Sequence, residues 1–430
     1  MRMALAALLL SGAGAAALAQ QSGQPRQLTL KETVALAVRN SRDLALARIQ
    51  SDLAQREAGL TRSEFRPNFY SGTGAAYTSG FPLAAGGGVP AVFNLTYDQQ
   101  IFNPPLRGQE RAAEQRTVQE QLSVDGVRNG VMVRAALAYL ELAKVRHGLD
   151  LMRAERLSAQ KILNATSDRV AAGRELPIEV TRAQLASARI EQRIAQYEDR
   201  EDALAGELRE LTGLPRDEPI GVSPEDLPAA AADNVNELVA SAMTNNIELQ
   251  QAESEVKASE ERLKGERGGF WPTIGLTGQY NVLSRINNYD QYFNKFTRNN
   301  FIFGLEVRIP IFASRTSASI AYAQTGLNAA QLSLQKKRTD LSLEVRQQAR
   351  QVHEAELAGD VARLDLQLAQ ENLKMLQDQF DQGRGSLKDL ETAHEEENDK
   401  WLVFLDAKYA RQQAELELLK TTGDVARVLQ

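Results

Sequence analysis

The chain has 430 residues, a net charge of -6 and no cysteine. The missing cysteine excludes disulfides, a thiolate metal site and a lipid-modified cysteine, and the dispersed negative charge argues against a nucleic-acid partner. Ala, Gln, Glu, Arg and Leu dominate, the composition of long helices rather than of ordinary compact domains.

Residues 1–19 read as an export signal: Arg2 gives positive charge, Met3 to Leu10 an apolar run, and Ala17-Leu18-Ala19 a small-x-small cleavage site. No later segment offers about twenty uncharged apolar residues, so the mature chain is expected to be exported without membrane-spanning helices.

The sequence then repeats itself. Pro67 corresponds to Pro272, and Asn40-Ser41 to Asn245-Asn246, at a shift of about 205. Val92-Phe93-Asn94-Leu95 matches Ile302-Phe303-Gly304-Leu305, Gly173-Arg174 matches Gly383-Arg384, and Leu211-Thr212-Gly213 matches Thr421-Thr422-Gly423, all at about 210. One surface loop of the second half is therefore about five residues longer. The expected repeats are residues 20–213 and 233–423, joined by a linker at 214–232 and followed by a tail at 424–430.

Each repeat has the same order of parts. A helix of about 37 residues (30–66 and 235–270) leads into a proline that opens a strand. Strands are expected at 67–78 and 91–102, and again at 272–283 and 300–312. Very long helices follow at 104–172 and 313–382, broken at Gly173 and Gly383, and shorter return helices end at Thr-Gly, a plausible C-cap. At 1.5 Å per residue the long helices reach about 100 Å and the short ones about 55 Å, so two short ones end to end match one long one in a parallel bundle. Seven-residue spacings (Val345 to Val352, Leu366 to Leu373 to Phe380) support helix-on-helix packing, which an ordinary coiled coil shares.

The strands separate those readings. The chain has 25 aromatic residues, 18 of them within 65–102 and 270–312, and from Asn68 to Leu106 the sole charge is Asp98. Phe93, Leu95, Tyr97 and Ile101 alternate with Asn94, Thr96 and Asp98. Phe303, Leu305, Val307 and Ile309 alternate with Gly304, Glu306 and Arg308. Strands of about ten residues, apolar on one side and polar on the other, fit a transmembrane barrel. Four strands do not close one, because small barrels need about eight, and an open edge in lipid leaves backbone groups unpaired. Several chains must therefore contribute. Asp98, Glu306 and Arg308 are expected to line the lumen, with loops 79–89 and 283–298 outside the cell.

With this layout the chain resembles the TolC family of outer-membrane efflux proteins over nearly all of its mature length. Val170-Ala171-Ala172-Gly173 and Phe380-Asp381-Gln382-Gly383 look like that family's helix-turn tips, each followed by an acid, Glu179 and Asp389. The resemblance implies a homotrimer, a twelve-stranded outer-membrane barrel, a helical tunnel in the periplasm, and docking to a periplasmic adaptor and an inner-membrane pump. It also assigns adaptor docking to Gly173, Arg174, Leu176, Gly383, Arg384 and Leu387, and the periplasmic gate to Asp389. The sequence departs from the family where Thr392 replaces a second acid, flanked by Lys388 and Glu391, and where Pro177 replaces an aliphatic residue.

No catalytic constellation or cofactor motif is found. Gly86-Gly87-Gly88 lacks the lysine of a phosphate loop. His147, His353 and His394 have no second ligand at metal spacing, and Glu395-Glu396-Glu397 reads as a solvated face. The chain is therefore expected to be no enzyme but a passive duct. A periplasmic adaptor or a soluble coiled-coil protein is the alternative, and the sequence names neither the exported substrate nor the class of pump.

Overall fold

The computed structural model describes residues 26–73, 91–227, 234–283, 297, 299–382 and 384–429. The expected signal segment, Gly86-Gly87-Gly88, Gly383 and nearly all of the two inter-strand loops, 79–89 and 283–298, lie outside them.

The elements follow the chain in two passes. The first is β1 (Arg26–Leu28), α1 (Leu30–Asn40), α2 (Arg42–Ser63), β2 (Asn68–Gly72), β3 (Ala91–Phe102), α3 (Pro104–Ala171) and α4 (Pro177–Thr212). The second is β4 (Ile220–Val222), α5 (Val235–Asn245), α6 (Ile247–Arg267), a 3-10 turn (Gly268–Phe270), β5 (Thr273–Leu283), β6 (Asn299–Arg308), α7 (Ser314–Asp381), α8 (Leu387–Thr422) and α9 (Val425–Leu429). Corresponding helices have nearly identical lengths: 11 and 11 residues for α1 and α5, 22 and 21 for α2 and α6. The pairs α3 and α7 have 68 residues each, α4 and α8 have 36 each.

Local chemistry sets the boundaries. Thr29 caps α1 by accepting from the Glu32 N–H at 3.2 Å. Gly213 and Gly423 end α4 and α8 with φ of 70° and 82°, left-handed backbone that L side chains adopt at a cost. The expected single helices at 30–66 and 235–270 are each interrupted. Asn246 caps α6 by accepting from the Leu249 N–H at 2.9 Å, and Ser41 takes extended backbone at the matching place. The last strand stops at Arg308, ahead of Pro310, rather than running to 312. Of the strand expected at 67–78, residues 74–78 lie outside the described part.

The chain forms two compact units. The first comprises residues up to 42, 128–239 and 345–430. Its core is the middle of α3, where Met132, Ala135, Tyr139, Leu142, Leu149 and Met152 are buried with Leu208, Leu416 and Leu418. Each large apolar side chain buried there contributes about 1.5–3 kcal/mol. Residues 214–232, expected as a plain linker, carry β4, which pairs in parallel with β1 (Arg26 opposite Ile220, Leu28 opposite Val222). Tyr139 anchors that pair. Its hydroxyl lies 3.0 Å from the Leu28 and Ser223 carbonyl oxygens and from Glu225 Oε1, and accepts the Ser223 N–H. The expected tail likewise folds, with Val425 and Leu429 of α9 buried.

The second unit comprises residues 43–127 and 240–344. It holds a four-stranded antiparallel sheet, ordered β2-β3-β5-β6, in which the two repeats meet at the β3–β5 pair. Its helical core includes a cluster of Leu263, Ala323 and Leu327 backed by Val256 and Ile320.

Candidate channel surfaces

The register of the sheet sorts its residues onto two faces. Asn68, Asp98, Thr277 and Gly304 stand opposite one another across four strands, as do Thr96, Gln279 and Ile302. Gln100, Gly275 and Glu306 form the next row, and Thr273 with Arg308 the last. Paired residues share a face, so Asp98, Glu306 and Arg308 lie together on a mainly polar face that also carries Tyr70, Ile302 and Leu283. Arg308 and Glu306 form an exposed ion pair at 2.9 Å.

The opposite face is mainly apolar. Phe69, Tyr97, Gly278 and Phe303 form one row, Leu95, Tyr280 and Phe301 another with Ser71 at its edge, Leu276 and Leu305 a third with Gln99, Ile274 and Val307 a fourth. Gly278 has a specific use here. A Cβ on it would stand 3.1 Å from Phe303 Cδ2 and 3.2 Å from Tyr97 Cβ. Its bare backbone lets those two rings meet over β5 at 6.0 Å between centroids, while Phe69 meets Tyr97 at 5.1 Å. Phe301 and Phe303 remain 71% and 58% exposed, so this face forms no core of the single chain.

Two details differ from the simple alternation. The register shifts between Gln100 and Phe102, so that Phe102 stands opposite Ile274. This β-bulge puts Phe102 on the apolar face in place of Ile101. Ile309 lies beyond the end of β6.

Among the described residues both outer edges of the sheet, β2 and β6, lack a partner strand. An exposed apolar band with two open edges is a surface that further strands would complete.

The helix-turn tips lie in the first unit. After α3 the chain reverses through Gly173, whose φ is 70°, with the Gly173 N–H donating to Val170 O and the Arg174 N–H to Arg169 O. Leu176 then opens α4 in extended conformation with Pro177 in the first turn, where the missing N–H costs nothing. Leu176 and Ile178 project into solvent. At the second tip the Arg384 and Gly385 N–H groups both donate to Gln379 O, and Arg384 reaches the Gln382 side chain. Ser386 caps α8 by accepting from the Lys388 N–H. The Arg169 guanidinium sits over the Phe380 ring at 5.8 Å, bringing the two tips side by side.

The acids near the tips fall into two settings. Asp389 is exposed in the first turn of α8, matching Glu179 in α4, where the helix dipole favours a negative charge. Glu391 is half-buried, and burial, then Glu395, then Glu179 push its carboxyl upward. Sequence reasoning treated Glu391 only as a neighbour of the gate. Spacing gave no sign that Glu391, rather than Asp389, is the acid lifted by burial and by the charge of Glu179.

Higher in the same unit the Glu155 carboxyl is buried, with Oε2 lacking any hydrogen-bond partner. Desolvation pushes it up to about 7; Arg193 opposes this, and Asp399, Glu395 and Glu397 add to it. Among the described residues no group of three or more His, Asp or Glu is arranged to hold a metal ion. His147 packs against Trp401, ring centroids 6.0 Å apart.

A duplicated pair of unequal helices, joined to a one-sided sheet with open edges, is the architecture of a class, the outer-membrane duct proteins. The solved structures similar to this chain have that fold. VceC of Vibrio cholerae superposes with a TM-score of 0.76 at 15% identity, covering 92% of this chain and 96% of that one. The CmeC outer membrane channel of Campylobacter jejuni superposes at 0.74 and 17% identity, covering 92% and 85%. The family model described as outer membrane efflux protein matches residues 33–214 and again 238–424, and the chain belongs to that family. Similar relatives include the probable efflux pump outer membrane protein SepC of Pseudomonas putida, 26% identical over 59% of this chain and 54% of SepC. Outer membrane protein TolC of Vibrio cholerae is 21% identical over 53% of this chain and 52% of its own. The chain spans about half the length of the curated relatives it matches.

Proposed function

We propose that this protein is the outer-membrane duct of a tripartite efflux or type I secretion system, assembled as a trimer whose twelve strands close one barrel. The observation that carries this reading is the sheet: four strands, one exposed aromatic face, one mainly polar face and, among the described residues, two unpartnered edges. In lipid an unpaired strand edge costs several kcal/mol per orphaned backbone group, so the sheet is tolerable there only if copies join edge to edge. The aromatic face then meets lipid, and Asp98, Glu306 and Arg308 line the water-filled lumen. Phe270 and Trp271, both more than half exposed just before β5, supply an interfacial girdle.

In this reading the duct performs no bond chemistry. The tips around Gly173, Arg174, Leu176, Gly383, Arg384 and Leu387 receive a periplasmic adaptor, and the duct opens when the tip helices splay. Energy comes from an inner-membrane pump. At the closed end the carboxylates of Glu179, Glu391 and Asp389 repeat three times about an axis and favour cations in the mouth.

The absence of cysteine makes the test clean. Single cysteines at Tyr70 of β2 and at Asn300, Ile302, Gly304 or Glu306 of β6 are combined pairwise in cells and oxidised. One register of pairs is expected to give covalent trimers in the outer-membrane fraction. A detergent-independent monomer with no crosslink in any register overturns the proposal. A soluble coiled-coil protein is disfavoured by the same sheet, because it has no use for an exposed aromatic face.

A further inference from the structure

Where the helices of the second unit meet the sheet there is a cleft of about 330 Å³, a volume within the usual range of small-molecule sites. Its wall is apolar, built from Phe65, Ile101, Phe102 and Trp271. Its mouth carries Arg107, Arg111 and Lys264; Arg107 is engaged by the buried Glu110 at 2.5 Å, and Arg111 and Lys264 share the one acid of the lining, Glu261. The Arg107 guanidinium sits over the Phe65 ring at 3.9 Å, which fixes it beside the apolar wall. Arg111 and Lys264 sit 3.2 and 3.8 Å from Glu261 and remain about half or more exposed, leaving the mouth with excess positive charge. The floor is formed where α3 and α6 touch backbone to backbone at Gly108 and Gly265. Phe102, opposite Ile274, makes the wall continuous with the aromatic face of the sheet.

We propose that this cleft binds a glycerophospholipid, phosphate at the three cations and the start of an acyl chain along Phe65, Phe102 and Trp271. The inference rests on the barrel reading, which sets this junction at the periplasmic edge of the bilayer. Charge and shape then agree. An acyl chain can leave the cleft along the apolar sheet face without crossing polar surface, and the cationic mouth sits at the level of headgroup phosphates. A free anion gains nothing from the aromatic wall, and a neutral lipid gains nothing from the cations.

The test is native mass measurement of the detergent-purified protein with dioleoylphosphatidylglycerol, dioleoylglycerol or glycerol 1-phosphate added. The expected result is a trimer retaining up to one phosphatidylglycerol per chain, with neither control retained. In R111Q/K264Q retention falls at least fivefold, and R111K/K264R restores it. Both positions are on the surface, so the trimer peak is expected in every variant. Equal retention by R111Q/K264Q, equal binding of dioleoylglycerol, or equal binding of glycerol 1-phosphate each overturns the lipid site. Loss of the trimer peak from the unsubstituted protein sinks the barrel reading instead.

Discussion

Gly108 of α3 and Gly265 of α6 meet with nothing between their backbones: a Cβ on either would lie 2.6 Å from the other's Cα. The Gly265 position also closes on Pro104 O at 3.0 Å, and the Gly108 position on Glu261 O at 2.8 Å. These are backbone atoms, so no side chain can move aside. Gly108→Ala or Gly265→Ala is expected to force the helices apart at a cost of about 1–3 kcal/mol. The double variant should cost less than the sum, since one displacement relieves both clashes. Thermal unfolding of the purified protein reads this directly. An unchanged midpoint in both single variants would show that the backbones are not in contact.

The strand faces were legible because alternation with period two is a local property: Phe303, Leu305 and Val307 announce their side wherever the strand pairs. The helices of α3 and α7 were legible by length alone. The β1–β4 pair was not, since three residues carry no periodicity and the partners lie far apart in the chain. The break at Asn246 was hidden because an N-cap asparagine between two helical runs reads as one more polar position. The bulge before Phe102 depends on where β5 registers, which no local pattern records. At the first tip the turn glycine Gly173 was readable, whereas the burial of Glu391 depends on how two hairpins separated by about 210 residues pack.

The polar face of the sheet predicts how conduction responds to charge. Asp98 and Glu306 share that face with Arg308. In a trimer the double variant Asp98→Ala, Glu306→Ala removes six negative charges from the lumen while leaving the aromatic face intact. Planar-bilayer recordings are expected to show reversal potentials shifted toward anion preference, and Arg308→Ala should shift them the other way. Trimer yield should stay within about twofold, because exposed charges contribute little to folding. Unaltered selectivity in both variants would place these residues outside the lumen.

Gly173 isolates the cost of the first tip. Its φ of 70° lies in the left-handed region, and a Cβ there would meet nothing within 4 Å. The penalty of Gly173→Ala is therefore conformational only, about 1 kcal/mol, and Gly173→Asn should cost less because asparagine tolerates that region. Hydrogen exchange of amides 170–180 is expected to speed up about fivefold in the alanine variant and less in the asparagine variant. If alanine and asparagine exchange alike, the turn has relaxed to another conformation.

Glu155 couples stability to pH in a direction opposite to that of most carboxylates. Its folded-state value is about 7 against an ordinary 4.5, because burial penalises the charged form and Asp399, Glu395 and Glu397 repel it. Arg193 offsets only part of this, being engaged by Asp399 at 2.9 Å. Between pH 4.5 and 7 the folded state thus holds a proton that the unfolded state has released. Stability must fall as pH rises through that window and level off above it, a total loss of about 3 kcal/mol. Glu155→Gln keeps the shape and hydrogen-bonding size of the protonated acid but does not titrate. The variant should match the parent near pH 4.5 and melt at a higher temperature at pH 8. Melting curves from pH 4.5 to 8.5 decide the matter: a parent and a Glu155→Gln variant with the same pH slope would mean that water or a neighbouring chain solvates this carboxylate.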